Sequence, residues 1–501
     1  LRSRVAAEIV STMEASRHAR ARREVLAGRV SRLAALRAIL AACAFAPATS
    51  ANAVPSGPQR FCETYATSPL CRVTQPSCSL CHTSYPARNG YGAAVAAGIS
   101  GGAAQFDARI AAALRAIEGA DSDGDGASNL TEINAGTLPG DAASLPDPGG
   151  CETRLTNPRY QICSYDRAYV FRRINVDFCG VGPTYEDVQR FAALAPMAQE
   201  VELDRLLDAC LTSEHWIGRD GVLWNLSYRK VRPIQALKSG EGEGLFPLAD
   251  YFDAINYFVW VSTGDRDVRE MLTGTYYVTR TMGPQTVYNR VEDLAQHFVP
   301  VNRRAGMLTQ RWFLVYFIMF SPLQRTMAAQ AYRVFLGLDI AQVEGLYPVA
   351  NEPVDYDLAG VRAPACAGCH STLDPLTYPF RDYDGIQGAI SIMGTPFGSY
   401  LPNRMTRLWA GRPGTLAAVP EVGYILGQRV NNVQEWAQVA ANSGAFAAAV
   451  VADYWHLLIG QRPQPGDAEY AALWSGLRTT DNFRVRAMLH RLIRTEAYGE
   501  P

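Results

Sequence analysis

The sequence predicts a mainly α protein in which a small N-terminal unit precedes a larger helical region. From about Cys151 onward, aromatic and apolar residues recur at intervals of three and four, as in Tyr251, Ile255, Phe258 and Val259, the spacing of a buried helix face. Short turns at Gly and Pro divide these stretches, and a Gly-, Pro- and Asp-rich segment at 136–150 has the composition of a linker closing the first unit. At 501 residues the chain has room for two or three domains. The expected divisions are a leader at 1–53, a first unit at 54–150, a helical domain at 151–300 and a second helical domain at 301–501.

The leader is read from a basic region ending near Arg37, an apolar stretch at 38–46 and the small-residue site Ala51-Asn52-Ala53, with cleavage expected after Ala53. Leu40-Ala41-Ala42-Cys43 has the form of a lipobox, but Arg37 leaves a short apolar core before it, so a lipid anchor at Cys43 is the lesser alternative. Loss of residues 1–53 removes nine Arg and three Glu and moves the formal charge from −1 to −7. Such an acidic chain gives no footing for nucleic acid and favours docking to basic surfaces on partner proteins. No apolar run approaches the roughly 18 residues of a transmembrane span. The richest, at 312–320, is nine residues long and reads as a buried helix or a pocket wall. A periplasmic or secreted location is therefore expected.

Two motifs lie in the first unit. In Cys78-Ser-Leu-Cys81-His82, two cysteines three apart are followed at once by a histidine. In Asp121-Ser-Asp123-Gly-Asp125-Gly126-Ala127-Ser-Asn129-Leu-Thr-Glu132, acids alternate at positions 1, 3 and 5, with Gly at 6 and Glu at 12. That alternation wraps a turn of chain around one calcium ion, which takes six to eight oxygens. Asp121, Asp123, Asp125 and Glu132 would bind through carboxylates and Ala127 through its carbonyl, with Asn129 bound directly or through water. Phe106, Ile110, Ala113, Leu114 and Ile117 share one helical face leading into this EF-hand-like loop. A solvated acidic turn is the competing reading. Outside the cell, where calcium is abundant, the ion would be structural.

The helical region carries a faint internal repeat. Pro183, Asp187 and Ala192-Ala-Leu194 match Pro463, Asp467 and Ala471-Ala-Leu473, and Ser213-Glu214-His215-Trp216 matches Thr495-Glu496-Ala497-Tyr498. Each copy reads as a capped helix, a second helix and a terminal aromatic. Further on, 288 residues after the first motif, comes Cys366-Ala-Gly-Cys369-His370.

A Cys-x-x-Cys-His run is the attachment site of c-type haem: the cysteines bond the porphyrin and the histidine coordinates iron. A zinc site would want a second ligand pair at similar spacing, and a thioredoxin-type site a strand-helix crossover. Neither context accompanies these motifs. Two covalent haems are expected, one on Cys78, Cys81 and His82, the other on Cys366, Cys369 and His370. Six of the remaining cysteines, Cys62, Cys71, Cys151, Cys163, Cys179 and Cys210, form an even set in an exported chain. Of the 15 pairings six cysteines allow, sequence neighbours are the expected one.

The sixth iron ligand separates a carrier from a catalyst. After His82 no Met or His occurs until Met197, so the first haem takes a ligand such as His215 from the helical region, uses Tyr85 or Tyr91, or stays open. The second has Met393, Met405, Met307, His297, His456 and His490 to draw on. Pro86, Pro375 and Pro379 follow the histidines closely, where a carbonyl can accept the imidazole Nδ1 proton.

The run from Cys78 to Gly92, followed by the acidic loop, resembles the small c-type haem units coupled to thrombospondin type 3-like calcium repeats in secreted bacterial proteins. The remainder resembles the planctomycete-type large exported cytochrome c family, whose domains of unknown function surround a C-terminal Cys-x-x-Cys-His. The residues carrying this are 173–187, 207–216, Arg304-Ala-Gly-Met-Leu-Thr-Gln310, Cys366 through Asp374-Pro375 to Asp382-Tyr-Asp384-Gly385, and 483–498. The resemblance implies haem binding and redox work with no substrate attached. The expected protein is an exported dihaem c-type cytochrome acting in electron transfer with redox partner proteins. The alternatives are a dihaem oxidoreductase of the peroxidase or oxygenase kind with one open haem, and a haem-bearing surface or complex subunit.

Overall fold

Helical periodicity dominates the sequence, and helices are what the chain builds, with four two-stranded antiparallel ribbons among the described residues. The computed structural model describes residues 56–72, 75–84, 87–99, 105–144, 146, 165–234, 237, 248–283, 285–392, 394–411, 414–464 and 466–500. The expected leader with Cys43, the Cys151–Cys163 pair, Tyr85, Pro86 and Met393 lie outside these residues.

The first unit has its own small core, formed by Phe61, Leu70, Leu80, Tyr91, Ile110, Leu114 and Ile133 among others. Helix Phe106–Ala116 turns Ile110, Ala113 and Leu114 inward, the face its spacing predicts. A disulfide between Cys62 and Cys71 ties helix Gly57–Thr64 to the next turn. Helix Gly90–Ala97 runs between the two motifs of this unit. A Cβ at Gly90 would stand 2.0 Å from the Ser122 carbonyl oxygen in the acidic loop, and one at Gly92 would stand 1.9 Å from that of Cys81. Only glycine allows these backbones so close.

The second core is continuous from Val170 to Tyr498. It takes side chains from both sides of the expected boundary at 300, so 151–300 and 301–501 are not separate hydrophobic bodies. Tyr251 meets Trp312 edge to face at 5.5 Å, and the buried Trp312 Nε1 donates to the Val231 carbonyl at 2.7 Å. The apolar faces of helices Tyr251–Val261 and Arg311–Ile318 cover each other across it.

The repeat takes matching forms. Helices Tyr185–Ala192 and Pro196–Cys210 lead into the short helix Glu214–Ile217, and Ala468–Thr479 and Val485–Leu492 lead into Glu496–Gly499. Ser213 and Thr495 cap the short helices by accepting from the Trp216 and Tyr498 amides. Trp216 packs on Phe178, and Tyr498 packs under Arg173 and donates to Asp177 at 3.1 Å. The second helices of the two copies are clamped by charge: Arg486 meets Asp208, and His490 bridges Asp204 and Asp208. The Cys179–Cys210 disulfide braces the first copy.

Among the described residues no helix is long and apolar enough to cross a membrane.

Candidate cofactor sites

In the first motif, Cys78–Leu80 forms one 3₁₀ turn capped by Ser77, and His82 opens a short strand paired to Ala87–Arg88. Asn89 holds this turn against the next helix. Its amide donates to the Ser79 and Leu80 carbonyls at 3.1 Å each, and its side-chain oxygen accepts from the Gly92 amide at 2.8 Å. The His82 Nδ1 lies 3.2 Å from the Ala87 carbonyl oxygen, so this imidazole is oriented by a neutral backbone dipole.

The second motif occupies the start of helix Pro364–Thr377, where proline at the first position suits the helix entry. Cys366, Cys369 and His370 stand at i, i+3 and i+4 and so share one face. One turn on, the fully buried Asp374 places Oδ1 2.8 Å from His370 Nδ1. Arg325 grips the same carboxylate at 2.7 and 2.9 Å and reaches Asp357 at 2.6 Å. Burial alone would raise Asp374, but the hydrogen bonds and charges of Arg325 and His370 outweigh it and hold the carboxyl below its usual range. Thus the expected proline carbonyls, Pro375 and Pro379, are not what faces His370. A helix places the side chain four residues on beside the imidazole, whereas backbone carbonyls point along the axis into its own hydrogen bonds. Asp374 and Arg325, which sit against His370, are not among the candidate site residues that the sequence offers. The signal available was His370 followed at i+4 by an acid.

Folding brings the first motif against a segment that is bonded to the second motif's helix. The Cys78 thiol faces the Val343 carbonyl oxygen at 3.9 Å. Burial pushes this thiol up, and the charges of Cys369 and Glu344 push it further. Segment 340–349 forms the wall between the motifs and is pinned to the second one: Tyr347 donates its amide to Thr372 Oγ1 and Val349 to the Ser371 carbonyl, each at 3.0 Å. Val343 holds φ at 62°, a left-handed conformation rare for a β-branched residue, at the point where Cys78 meets this wall.

The four motif cysteines are the free ones among the described residues, while Cys62, Cys71, Cys179 and Cys210 are paired. Burial raises Cys81 to about 12 and lifts Cys369 as well, which keeps these thiols protonated. Two unpaired dithiols, each with an oriented histidine, fit the demands of thioether-linked haem.

The alternative ligands are dispersed. His297 is buried against Asp253 at 2.9 Å, His490 is held by two aspartates, and Met307 lies in the large core. Met405 is fully buried in a small cluster with Leu323, Tyr378 and Trp409. Met197 is exposed. The exposed His215 ring stacks over the Gly180 backbone. Tyr91 is fully buried in the small core. His456 lines a cavity of about 550 Å³ together with Arg72, Ser77, Ser79, Arg229 and Arg462. Cys78, Cys81 and His82 do not line that cavity, so it lies behind the first motif.

In the acidic loop, Asp121, Asp123 and Asp125 each offer an oxygen within 4.8 Å of the others. Asp121 accepts from the Gly124 and Gly126 amides at 2.7 and 2.9 Å, and Gly126, with φ at 98°, makes the sharp turn at position 6. Asn129 closes the loop, accepting from the Ser122 amide and donating to the Ile117 carbonyl. Ala127 follows, with its amide on Asp125. Glu132 is fully buried, and both its carboxylate oxygens lack a hydrogen-bond partner. Burial and then the charges of Asp123, Asp125 and Asp121 push it up to about 8. A buried, unpartnered carboxylate beside three more fits a divalent cation with oxygen preference.

Compared with protein-family models, curated proteins and solved structures, the chain matches none.

Proposed function

We propose that the chain is an exported dihaem c-type cytochrome that moves electrons between its two haems and partner proteins. Its first haem unit is braced by a structural calcium ion. The observation that carries this reading is the approach of Cys78 to Val343, on the segment that Tyr347 and Val349 pin to the second motif, although the two motifs lie 288 residues apart. Sites for two haems serve electron transfer best when they adjoin, and nothing about attachment alone requires it. The resemblance to planctomycete-type exported cytochromes points the same way.

Haem supplies a one-electron iron couple when bound. Cys78, Cys81, Cys366 and Cys369 would anchor it, and His82 and His370 would coordinate its iron. Ala87 and Asp374 hold the proton on the opposite ring nitrogen, which fixes tautomer and ring plane. The calcium loop and the first motif press on the same helix at Gly90 and Gly92, so an ordered loop fixes the Cys81 backbone.

The second reading, a dihaem oxidoreductase with one open iron, draws on the lack of any Met or His between His82 and the exposed Met197. Absorption spectra of the reduced protein with and without carbon monoxide separate the two. A carrier keeps its low-spin bands when the gas is added. A rapid spectral change at one haem, with peroxide turnover, selects the oxidoreductase.

A further inference from the structure

We propose that the acidic loop is the keystone of the seam between the small unit and the large core: calcium bound at Asp121, Asp123, Asp125 and Glu132 holds the two docked, and its removal releases them. This rests on the calcium reading above and extends it from the first unit to the docking of that unit.

A cation completes the loop. Glu132 is wholly buried, and neither of its carboxylate oxygens has a hydrogen-bond partner. Asp123 and Asp125 each keep a buried oxygen without a partner as well. Oxygens of Asp121, Asp123 and Asp125 lie within 4.8 Å of one another. Like charges at this range repel, and a buried acceptor left without a donor is costly. One calcium ion, which takes six to eight oxygens, relieves both. Without it, the Glu132 carboxyl is better served by water, which it reaches by movement of helix Asn129–Ala135, on which it sits.

That helix cannot move without moving the seam. It ends at Gly136, where a φ of 84° turns the chain. A Cβ at Gly136 would stand 2.5 Å from the Gly466 Cα, and one at Gly466 would stand 2.0 Å from the Ala135 carbonyl oxygen. Gly466 leads into helix Ala468–Thr479 of the large core. With no side chain on either glycine, the two backbones touch directly and a shift in one is met by the other. Ser68 Oγ donates to the Ile133 carbonyl of the same helix at 2.6 Å, which sets the neighbouring Pro69 and Leu70. These two line the small unit's side of the 550 Å³ cavity, and Leu336, Leu338 and Ala448 line the side of the large core.

The start of the loop reaches the seam too. The Ser122 carbonyl lies against Gly90, and two residues on, Gly92 lies against the Cys81 carbonyl. The Asn89 amide donates to that same carbonyl at 3.1 Å, and the Cys81 amide closes the turn on Cys78 at 3.1 Å. Cys78 then faces Val343 of the large core. The contacts at Gly466 and at Val343 are thus carried by opposite ends of one loop. Coupling of this kind is reciprocal: if calcium favours the docked arrangement, docking favours calcium by the same factor.

The test is hydrogen–deuterium exchange of the purified holoprotein with calcium or with chelator, joined to calorimetric calcium titration of the parent and of Gly466→Val. Removing calcium should speed exchange at 129–136 and, across the seam, at 338–345 and 466–471. The ribbon of Tyr277–Thr281 and Val287–Val291, which contributes nothing to the seam, should exchange as before. Gly466→Val alters no calcium ligand but wedges the seam, and should bind calcium about tenfold more weakly. Exchange that changes in the small unit alone, or everywhere alike, overturns the proposal, as does parent-like calcium affinity in Gly466→Val. The exchange comparison needs no variant and decides the matter if Gly466→Val does not fold. A parent protein that binds no calcium instead overturns the calcium reading on which the proposal rests.

Discussion

Cys78, in the first motif, faces the Val343 carbonyl oxygen at 3.9 Å, and Val343 lies on the segment that Tyr347 and Val349 pin to Thr372 and Ser371 beside the second motif. Cys81 packs on the small core, while Cys369 and Val343 pack on the large one, so the Cys78–Val343 contact joins the small unit to the large one. The small unit is held on the far side too, where Gly136 packs on Gly466.

Calcium should stabilise the first unit. Glu132 is buried without a partner, so a cation that binds the folded loop adds stability as its concentration rises, by about 2.7 kcal/mol at one hundred times its dissociation constant. Adding a chelator should lower the melting temperature, and calcium should restore it. In Glu132→Gln the response to calcium should largely vanish. An unchanged response in that variant would sink the assignment of Glu132.

The Arg404–Asp384 pair is wholly buried, and the arginine also reaches the Ser321 and Pro322 carbonyls. Removing one partner strands the other charge, at a cost of about 3–5 kcal/mol. Urea unfolding of Arg404→Met should show that loss, while Arg404→Met/Asp384→Leu should lose much less. Equal losses would mean that packing, and not the stranded charge, sets the cost.

Acid should loosen the clamp between the two repeat copies. The Asp208 carboxyl sits below its usual range, through Arg486 first and His490 as well, with partial burial opposing them. A carboxyl depressed on folding contributes stability above the ordinary carboxylate range, near pH 4, and loses it as pH falls through the depressed value. The pair is about one-third exposed, so solvent screening keeps the effect small. Asp208→Asn should melt slightly lower than the parent at pH 7, and the gap should close towards pH 3. A gap independent of pH would exclude the ionic explanation.

Much of this architecture was legible because local rules wrote it. Helix Phe106–Ala116 buries the face its spacing marks, Gly126 turns where a loop of this kind must turn, and Cys62–Cys71 and Cys179–Cys210 pair as sequence neighbours. The single core across 300 was not legible, since helix spacing states which face is apolar and not which partner covers it. Nor was the meeting of Cys78 with Val343, a product of tertiary packing alone. Asp374 lies between these cases. Its offset from His370 was in the sequence, but Arg325, which holds it charged, comes from another helix.

The intact mass of the mature protein, made in a host with c-type haem maturation and measured after denaturation, tests the central claim most directly. Two covalent haems predict a mass above that of the polypeptide by two haem groups, with one lost in Cys78→Ala/Cys81→Ala and the other in Cys366→Ala/Cys369→Ala. A bare polypeptide mass, or one lighter by the hydrogens of Cys78–Cys81 and Cys366–Cys369 disulfides, would contradict it.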